Sequence, residues 1–184
     1  MRALTTFAGV AIGALLLSGC LPQQPTATPP PEATAAPIFA SDEEALAAAT
    51  AAYAAYQSAV DSALATYSTS VLSEVAAGRA LKAAVESVQS FQADGKRLVG
   101  SSSIETIMAV QMAGLADVSS GDPAQIYSCL DISMTDVVDS AGASLVDKRE
   151  TRRVATLVSL IWNDDPAGVL VSEVEVWDGN DFCN

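Results

Sequence analysis

The spacing of the apolar residues changes once along the chain, close to Gly95, and this change constrains the fold more than any other feature. Before Gly95 the apolar residues recur every three or four positions, which is typical of one face of a helix. After Gly95 they alternate or run together with β-branched residues, which is typical of strands. Helices that precede a run of strands predict an α+β fold, in which an antiparallel sheet packs against a helical layer.

The first predicted helix covers residues 42–67. Ser41 and Glu44 have the spacing of a capping box, in which each side chain satisfies a free backbone N–H at the start of the helix. The apolar stripe that follows consists of Leu46, Ala49, Tyr53, Tyr56, Val60, Leu64 and Tyr67. The alanines between these positions are strong helix formers. The capping residues therefore predict where the helix starts, and the stripe and the alanines predict that it continues.

A second helix is predicted over about 71–93, with Ser70 as its cap and Gly78 as a weak point or a kink. One short and four long segments then have strand character, at about 97–100, 103–115, 124–138, 152–163 and 168–177. The turn residues between the last two predict a hairpin. Because neither face of the segments 124–138 and 168–177 is uniformly polar, we expect a curved antiparallel sheet of four to five strands under the two helices.

The first twenty residues have the organisation of an export signal. A basic start at Arg2 precedes an apolar stretch of about eleven residues, which is too short to span a bilayer and suits a signal peptide. The stretch ends in Leu17, Ser18, Gly19 and Cys20, which resembles the lipobox of bacterial lipoproteins. In that motif residues 1–19 are removed and the cysteine carries the lipid at the new N-terminus. The alternative is an ordinary secretory signal with an incidental cysteine.

Residues 20–40 are predicted to form a tether and residues 41–184 a single domain. Six of the eight prolines lie in 21–37, and such a Pro/Thr/Ala-rich stretch favours extended polyproline II. The sequence has a net charge of −13, so electrostatic attraction to anionic lipid is disfavoured and the fatty chains would hold the protein on the membrane. The predicted location is therefore extracytoplasmic, on the bacterial cell membrane.

Composition argues against several classes of function. The acidic charge would repel the phosphates of a nucleic acid. The chain has no histidine, which is the commonest general base in enzymes and the commonest zinc ligand. We therefore predict no nucleic-acid partner, no cofactor and no metal ion.

Two cysteines remain besides Cys20. In an oxidising compartment Cys129 and Cys183 have only each other as partners, so a disulfide between them is predicted. Two free thiols are the alternative. A catalytic thiol or a metal site is a weaker interpretation, because neither a histidine nor a CxxC spacing accompanies the cysteines.

The order of these segments resembles a group of actinobacterial lipoproteins. The likeness lies in the lipobox, the tether, the segment Ile-Phe-Ala-Ser-Asp-Glu-Glu-Ala-Leu at 38–46, Tyr-Ser-Cys-Leu-Asp at 127–131 and the closing Glu-Val-Trp-Asp-Gly at 175–179. The exported domain of that group is similar to the nuclear transport factor two-like fold, a cone of helices on a bent sheet that encloses a pocket. The resemblance implies a pocket but no particular reaction, because that fold hosts enzymes and binding proteins alike.

Six residues are candidates for the lining of such a pocket: Tyr53, Tyr56, Tyr127, Asp131, Trp162 and Trp177. The competing interpretation is that the aromatic residues belong to the core, where they bury large areas. If Asp131 or Asp61 met a tyrosine, the pair could serve acid–base catalysis in a small-molecule hydrolase or isomerase.

Two charged segments have alternative interpretations as well. The run 178–181 (Asp-Gly-Asn-Asp) offers oxygen ligands for calcium, but its spacing favours a turn. The basic cluster 148–153 could contact an acidic partner or lie in a solvated loop.

These observations favour a membrane-anchored domain that binds a partner without catalysis. A small apolar ligand, a protein of the cell envelope or a second copy of the chain would each fit the fold. The hydrolase or isomerase is the alternative function.

Overall fold

The computed structural model describes residues 38–112, 115, 123–147, 152–164, 167–178 and 183. The predicted signal peptide, the lipobox and nearly all of the tether lie outside these residues. None of the helices in the described ranges is long and apolar enough to cross a membrane.

The fold is α+β, as predicted, with helices packed on antiparallel sheets that do not close into a barrel. The elements in chain order are α1 (Asp42–Thr66), α2 (Leu72–Val75), α3 (Gly78–Ala93), β1 (Arg97–Gly100), β2 (Ser103–Gln111), β3 (Ala124–Asp131), β4 (Thr135–Val138), β5 (Arg153–Asp164) and β6 (Ala167–Val176). One sheet has the order β2-β3-β5-β6, and a second, smaller sheet pairs β1 with β4. The described chain thus contains six strands in two sheets rather than four to five in one.

The Ser41 half of the predicted capping box begins α1, while the Glu44 side chain reaches the residue before the cap. The Ser41 hydroxyl accepts a hydrogen bond from the Glu44 backbone N–H at 3.2 Å, and the Glu44 carboxylate accepts one from the Ala40 N–H at 2.8 Å. The helix buries Ala45, Ala49, Tyr53, Tyr56 and Ala63, which follow a helical spacing. Small alanines at three of these positions let α1 approach the residues beneath it closely.

The predicted second helix is interrupted, and its predicted cap is wrong. Val71 rather than Ser70 precedes α2, without a side-chain cap, and the chain is extended at Ala76 and Ala77 before α3 begins. The Ala77 N–H donates a hydrogen bond to the Val171 carbonyl of β6 at 2.9 Å. Gly78 then adopts a φ of +53°, which glycine reaches without strain. The edge of the sheet therefore captures two alanines that would otherwise continue the helix.

The predicted strand at 124–138 is two strands. β3 ends at Asp131, whose carboxylate accepts a hydrogen bond from the Ser133 N–H at 2.7 Å, and β4 leaves to pair with β1. The turn between them lies against Gly100, which has a φ of +85°. A Cβ atom at Gly100 would lie 2.0 Å from the Met134 carbonyl oxygen, so only glycine fits there.

The helices lie mainly against β6 and the core of the larger sheet. α3 packs against β6, while α1 contacts β6 and β1 and approaches β2 much less closely. Among the described residues, the largest fully buried aliphatic side chains are Leu72, Val88, Leu115, Ile126, Val158, Leu160 and Val171. The predicted hairpin joins β5 and β6, with Asp164 paired to Ala167. Because α1 diverges from β2, a space remains between them.

The disulfide between Cys129 and Cys183 is confirmed. Their Cα atoms are 5.3 Å apart and 54 positions separate the two residues in sequence. The bond links the end of the chain to β3, at the centre of the larger sheet. Closing a loop of this length stabilises the fold by about 4 kcal/mol in the chain-entropy model.

Candidate functional site

The structure does not bring the six predicted pocket residues together. Tyr53 and Tyr56 lie side by side in the core beneath α1, with ring centroids 6.3 Å apart. Trp162 forms an edge-on pair with Phe39 at 5.9 Å. The competing interpretation, that the aromatic residues supply core packing, therefore describes Tyr53 and Tyr56.

Tyr53 is part of a buried chain of hydrogen bonds. The Gln57 side-chain amide donates to the Tyr53 hydroxyl at 2.7 Å, and that hydroxyl lies 3.2 Å from the Thr156 hydroxyl. Thr156 in turn donates to the Ser128 carbonyl at 3.3 Å, so Tyr53 must donate to Thr156. Burial raises the pKa of Tyr53 above its ordinary value, despite these hydrogen bonds, and raises the pKa of Tyr56 to about 12. Both phenols therefore stay protonated at neutral pH.

Tyr127 and Trp177 form a separate pair, with ring centroids 4.9 Å apart. The Trp177 backbone N–H donates to the Ala155 carbonyl at 2.8 Å, and Ala155 is the cross-strand partner of Cys129. Trp177 thus lies beside the strand positions that carry the disulfide, and it is 39% exposed.

Asp131 lies at the end of β3, away from the Tyr53 and Tyr56 pair. Hydrogen bonding to the Ser133 backbone N–H, followed by the Ser133 side chain and the charge of Arg153, lowers the pKa of Asp131. A general acid at neutral pH would need a raised pKa. This carboxylate is instead held in its charged form.

A groove with a volume of about 800 Å³ lies between α1 and β2. One wall is the polar side of α1, whose lining residues follow a helical spacing. The other wall is the loop between β1 and β2 together with the first half of β2. The polar lining residues are Thr50, Gln57, Ser58, Asp61, Ser62, Ser101, Ser102, Glu105 and Thr106.

Asp61 connects the two walls of this groove. One carboxylate oxygen, Oδ2, accepts hydrogen bonds from both the Ser102 backbone N–H at 2.7 Å and the Ser102 hydroxyl at 2.8 Å. In the described part of the chain the other oxygen, Oδ1, has no hydrogen-bond partner and no basic side chain pairs with Asp61. Glu105, the second carboxylate of the groove, forms a two-pronged ion pair with Arg153 at 2.8 and 2.9 Å. Asp61 therefore provides the unneutralised negative charge.

A smaller cavity of about 380 Å³ lies next to the groove and shares Gln57, Asp61 and Ser102 with it. Most of its walls are aliphatic: Val60, Leu64, Leu98, Leu130, Ile132, Val137 and Val146. We call it the inner cavity.

The inner cavity also has a positive charge in its lining, on the side that it shares with a third cavity. Arg152, Thr135 and Val146 line the inner cavity, and all three also line this third cavity of about 480 Å³. The Arg152 guanidinium donates to the carbonyl oxygens of Ile132 and Thr135.

The sequence did not single out the groove residues other than Asp61. Gln57 and Asp61 lie four positions apart on a helix that otherwise consists largely of alanine and apolar residues. Together with Ser58 and Ser62, which are also four positions apart, that spacing indicates a polar helix face. Ser102 has no comparable signal, because only the loop brings it to the helix.

The remaining charged segments lie partly outside the described residues. The described ranges contain no group of three or more His, Cys, Asp or Glu residues that could hold a metal ion. Of the possible calcium segment only Asp178 is described. In the basic cluster, Arg152 and Arg153 already have partners within the fold. The hypothesis that the cluster contacts an acidic partner therefore depends on Lys148 and Arg149, which lie outside the described residues.

Comparison with known proteins adds information on the fold. No protein-family model matches the sequence, and no curated protein matches it. Among solved structures, the intermembrane space region of the chloroplast protein ARC6 is similar, with a TM-score of 0.52 and 16% sequence identity. The match covers 71% of this chain and 95% of that chain. At this level of identity the likeness shows a shared fold.

Proposed function

We propose that this chain is a bacterial lipoprotein, anchored through Cys20 on the outer side of the cell membrane, whose domain binds a ligand without transforming it. The lipobox-like ending and the proline-rich tether support the anchor. The disulfide between Cys129 and Cys183 supports export, because cytosolic thiols are kept reduced.

The groove and the inner cavity carry the proposal of binding. Their volumes of about 800 and 380 Å³ fall within the range typical of small-molecule sites. The combination of aliphatic walls with a few convergent polar groups is also typical of such sites.

The partners of the ionisable groups favour binding over catalysis. Asp61 accepts two hydrogen bonds from Ser102, Glu105 is paired with Arg153, and Arg152 donates to two carbonyl oxygens. Each group is thus held by the fold in a fixed position. A rigid polar frame suits recognition, whereas acid–base catalysis requires a group poised to exchange a proton.

The anchor is tested by expression of the full chain in a bacterium, followed by fractionation and mass analysis. We expect a membrane-bound product that begins at Cys20 and carries a diacylglyceryl group. Cys20→Ser should remain unprocessed by the lipoprotein pathway. Recovery of the uncleaved chain in the cytosol, with Cys129 and Cys183 reduced, would refute the proposal.

Binding is tested on residues 20–184 with Cys20→Ser, exported behind an ordinary secretory signal in place of residues 1–19, by mass spectrometry of molecules that copurify with the protein. Ala54 faces the groove and Ala55, its exposed neighbour, does not. We expect Ala54→Trp to fill the groove and abolish copurification, and Ala55→Trp to leave it unchanged. Equal retention by both variants would show that the groove is not the site.

A further inference from the structure

We infer that the ligand is a cationic amphiphile, an aliphatic chain with an ammonium head, whose head binds Asp61 and whose chain enters the inner cavity. This inference rests on the proposed function, because it assigns a chemical class to the ligand of the same groove.

The argument for the head group begins with Asp61. Both hydrogen bonds from Ser102 reach Oδ2, which leaves Oδ1 as an acceptor at the boundary between the groove and the inner cavity. A carboxylate without a cation is matched by an ammonium group, which donates hydrogen bonds and compensates the charge. The net charge of the chain, −13, also favours the approach of a cation over that of an anion.

The argument for the chain comes from the walls of the inner cavity. Side chains such as Leu64, Leu98, Leu130 and Val137 offer aliphatic surface and no polar atoms. Burial of a methylene group in such surroundings is worth enough to tighten binding about fourfold for each group added. The carboxylate and the aliphatic walls are contiguous, since Asp61 and Gln57 line both spaces.

An anionic amphiphile is the competing ligand, and Arg152 is the reason to consider it. Its guanidinium lines the same cavity, but on the side shared with the third cavity, and it already donates to two backbone carbonyls. A carboxylate head at the mouth beside the groove would meet the charge of Asp61 instead. The cationic and the anionic head group should therefore differ in affinity: if Asp61 holds the head, the cationic amphiphile binds more tightly.

The test uses residues 20–184 with Cys20→Ser and three probes of equal chain length: decylammonium, decanol and decanoate. Isothermal titration calorimetry below the micelle concentration measures each affinity. We expect decylammonium to bind at least about tenfold more tightly than decanol, and decanoate to bind least tightly. Hexylammonium and octylammonium should bind progressively more weakly than decylammonium.

Asp61→Asn is the decisive variant. Because one oxygen accepts both Ser102 hydrogen bonds, the asparagine carbonyl oxygen can keep them while the free oxygen becomes an NH₂ group. We expect decylammonium affinity to fall at least about tenfold. Glu86→Gln, on the exposed face of α3 and paired with Lys82, and Asp42→Asn, at the exposed start of α1, should change it less than about twofold, which would exclude non-specific attraction to an acidic protein.

The outcomes separate this inference from the proposed function. Tighter binding of decanoate, or equal loss of affinity in all three variants, would overturn the assignment of the head group to Asp61. If none of the probes binds while a copurified molecule is displaced by Ala54→Trp, the ligand class is wrong and the proposed function stands. If neither probes nor a copurified molecule occupy the groove, both are wrong. Should Asp61→Asn fail to fold, the order of the affinities of decylammonium, decanol and decanoate for the unsubstituted domain still tests the assignment of the head group.

Discussion

Gly100 and Gly142 provide a matched test of what a close backbone contact contributes to this fold. Their φ angles are +85° and +84°, so an alanine at either position meets the same backbone strain. The surroundings differ: a Cβ at Gly100 would lie 2.0 Å from the Met134 carbonyl oxygen, whereas a Cβ at Gly142 has no heavy atom within 4 Å among the described residues.

The two substitutions should therefore differ in magnitude. Gly142→Ala should lower the free energy of unfolding by about 1–2 kcal/mol, the ordinary penalty for a left-handed alanine. Gly100→Ala carries that penalty and must also displace backbone, because carbonyl oxygens cannot move aside as a flexible side chain can. We expect a total loss of about 3 kcal/mol or more, within the range of severe core and backbone changes.

Urea unfolding of residues 20–184 with Cys20→Ser, followed by circular dichroism, measures both values. Ligand binding gives a second measurement, because Gly100 precedes the loop that delivers Ser102 to Asp61. Gly100→Ala should weaken binding and Gly142→Ala should not. Equal destabilisation by the two substitutions would refute the argument from the Met134 contact.

Three further predictions concern the core, the disulfide and the loss of stability at acidic pH. The Ser128 hydroxyl is buried without a hydrogen-bond partner in the described structure, so Ser128→Ala should leave the free energy of unfolding unchanged or raise it. Thr156→Val removes a hydroxyl that is hydrogen-bonded, so it should lower the free energy of unfolding by about 1 kcal/mol. Urea titrations measure both values. Replacing Cys129 and Cys183 together by alanine should lower the free energy of unfolding by about 4 kcal/mol, and a reductant should then have no further effect on the thermal midpoint. The pKa of Asp131 is lowered in the folded state, so its charge stabilises the fold above the unfolded value of about 3.9, and that contribution disappears as the pH falls through the lowered value. Asp131→Asn should accordingly flatten the loss of stability between about pH 5 and pH 2, and an unchanged loss of stability at acidic pH would contradict the assignment.

The sequence predicted those elements whose causes are local. The capping box of Ser41 and Glu44, the apolar stripe of α1 and the turn-rich hairpin before β6 act over a few residues, and each appears where its pattern indicated. The disulfide was predictable for a different reason: once Cys20 is set aside as the predicted site of lipid attachment, the two remaining cysteines allow one pairing.

The errors arose where a distant part of the chain competes with local preference. Ala76 and Ala77 favour a helix, yet the Val171 carbonyl holds them extended. The alternating pattern of 124–138 continues without a clear break after Asp131, but β4 finds its partner in β1 rather than beside β5. Neither competitor is visible within the segment itself.

In the candidate site, too, local sequence features and long-range contacts differ in what they could predict. Aromatic residues drew attention because of their size, and that size places Tyr53 and Tyr56 in the core. The groove depends on Asp61 and Ser102, which are 41 positions apart and carry no shared motif.

By itself, the sequence indicated the class of the fold, the start of the first helix and the crosslink between Cys129 and Cys183, because periodicity, capping and cysteine number are properties of short segments or of composition. Only the tertiary structure decided where the helix breaks, which strands form a second sheet and which carboxylate lies beside an apolar cavity. These features depend on contacts between residues far apart in the chain, whose free energies outweigh local preferences of a few tenths of a kcal/mol to about 1 kcal/mol per residue.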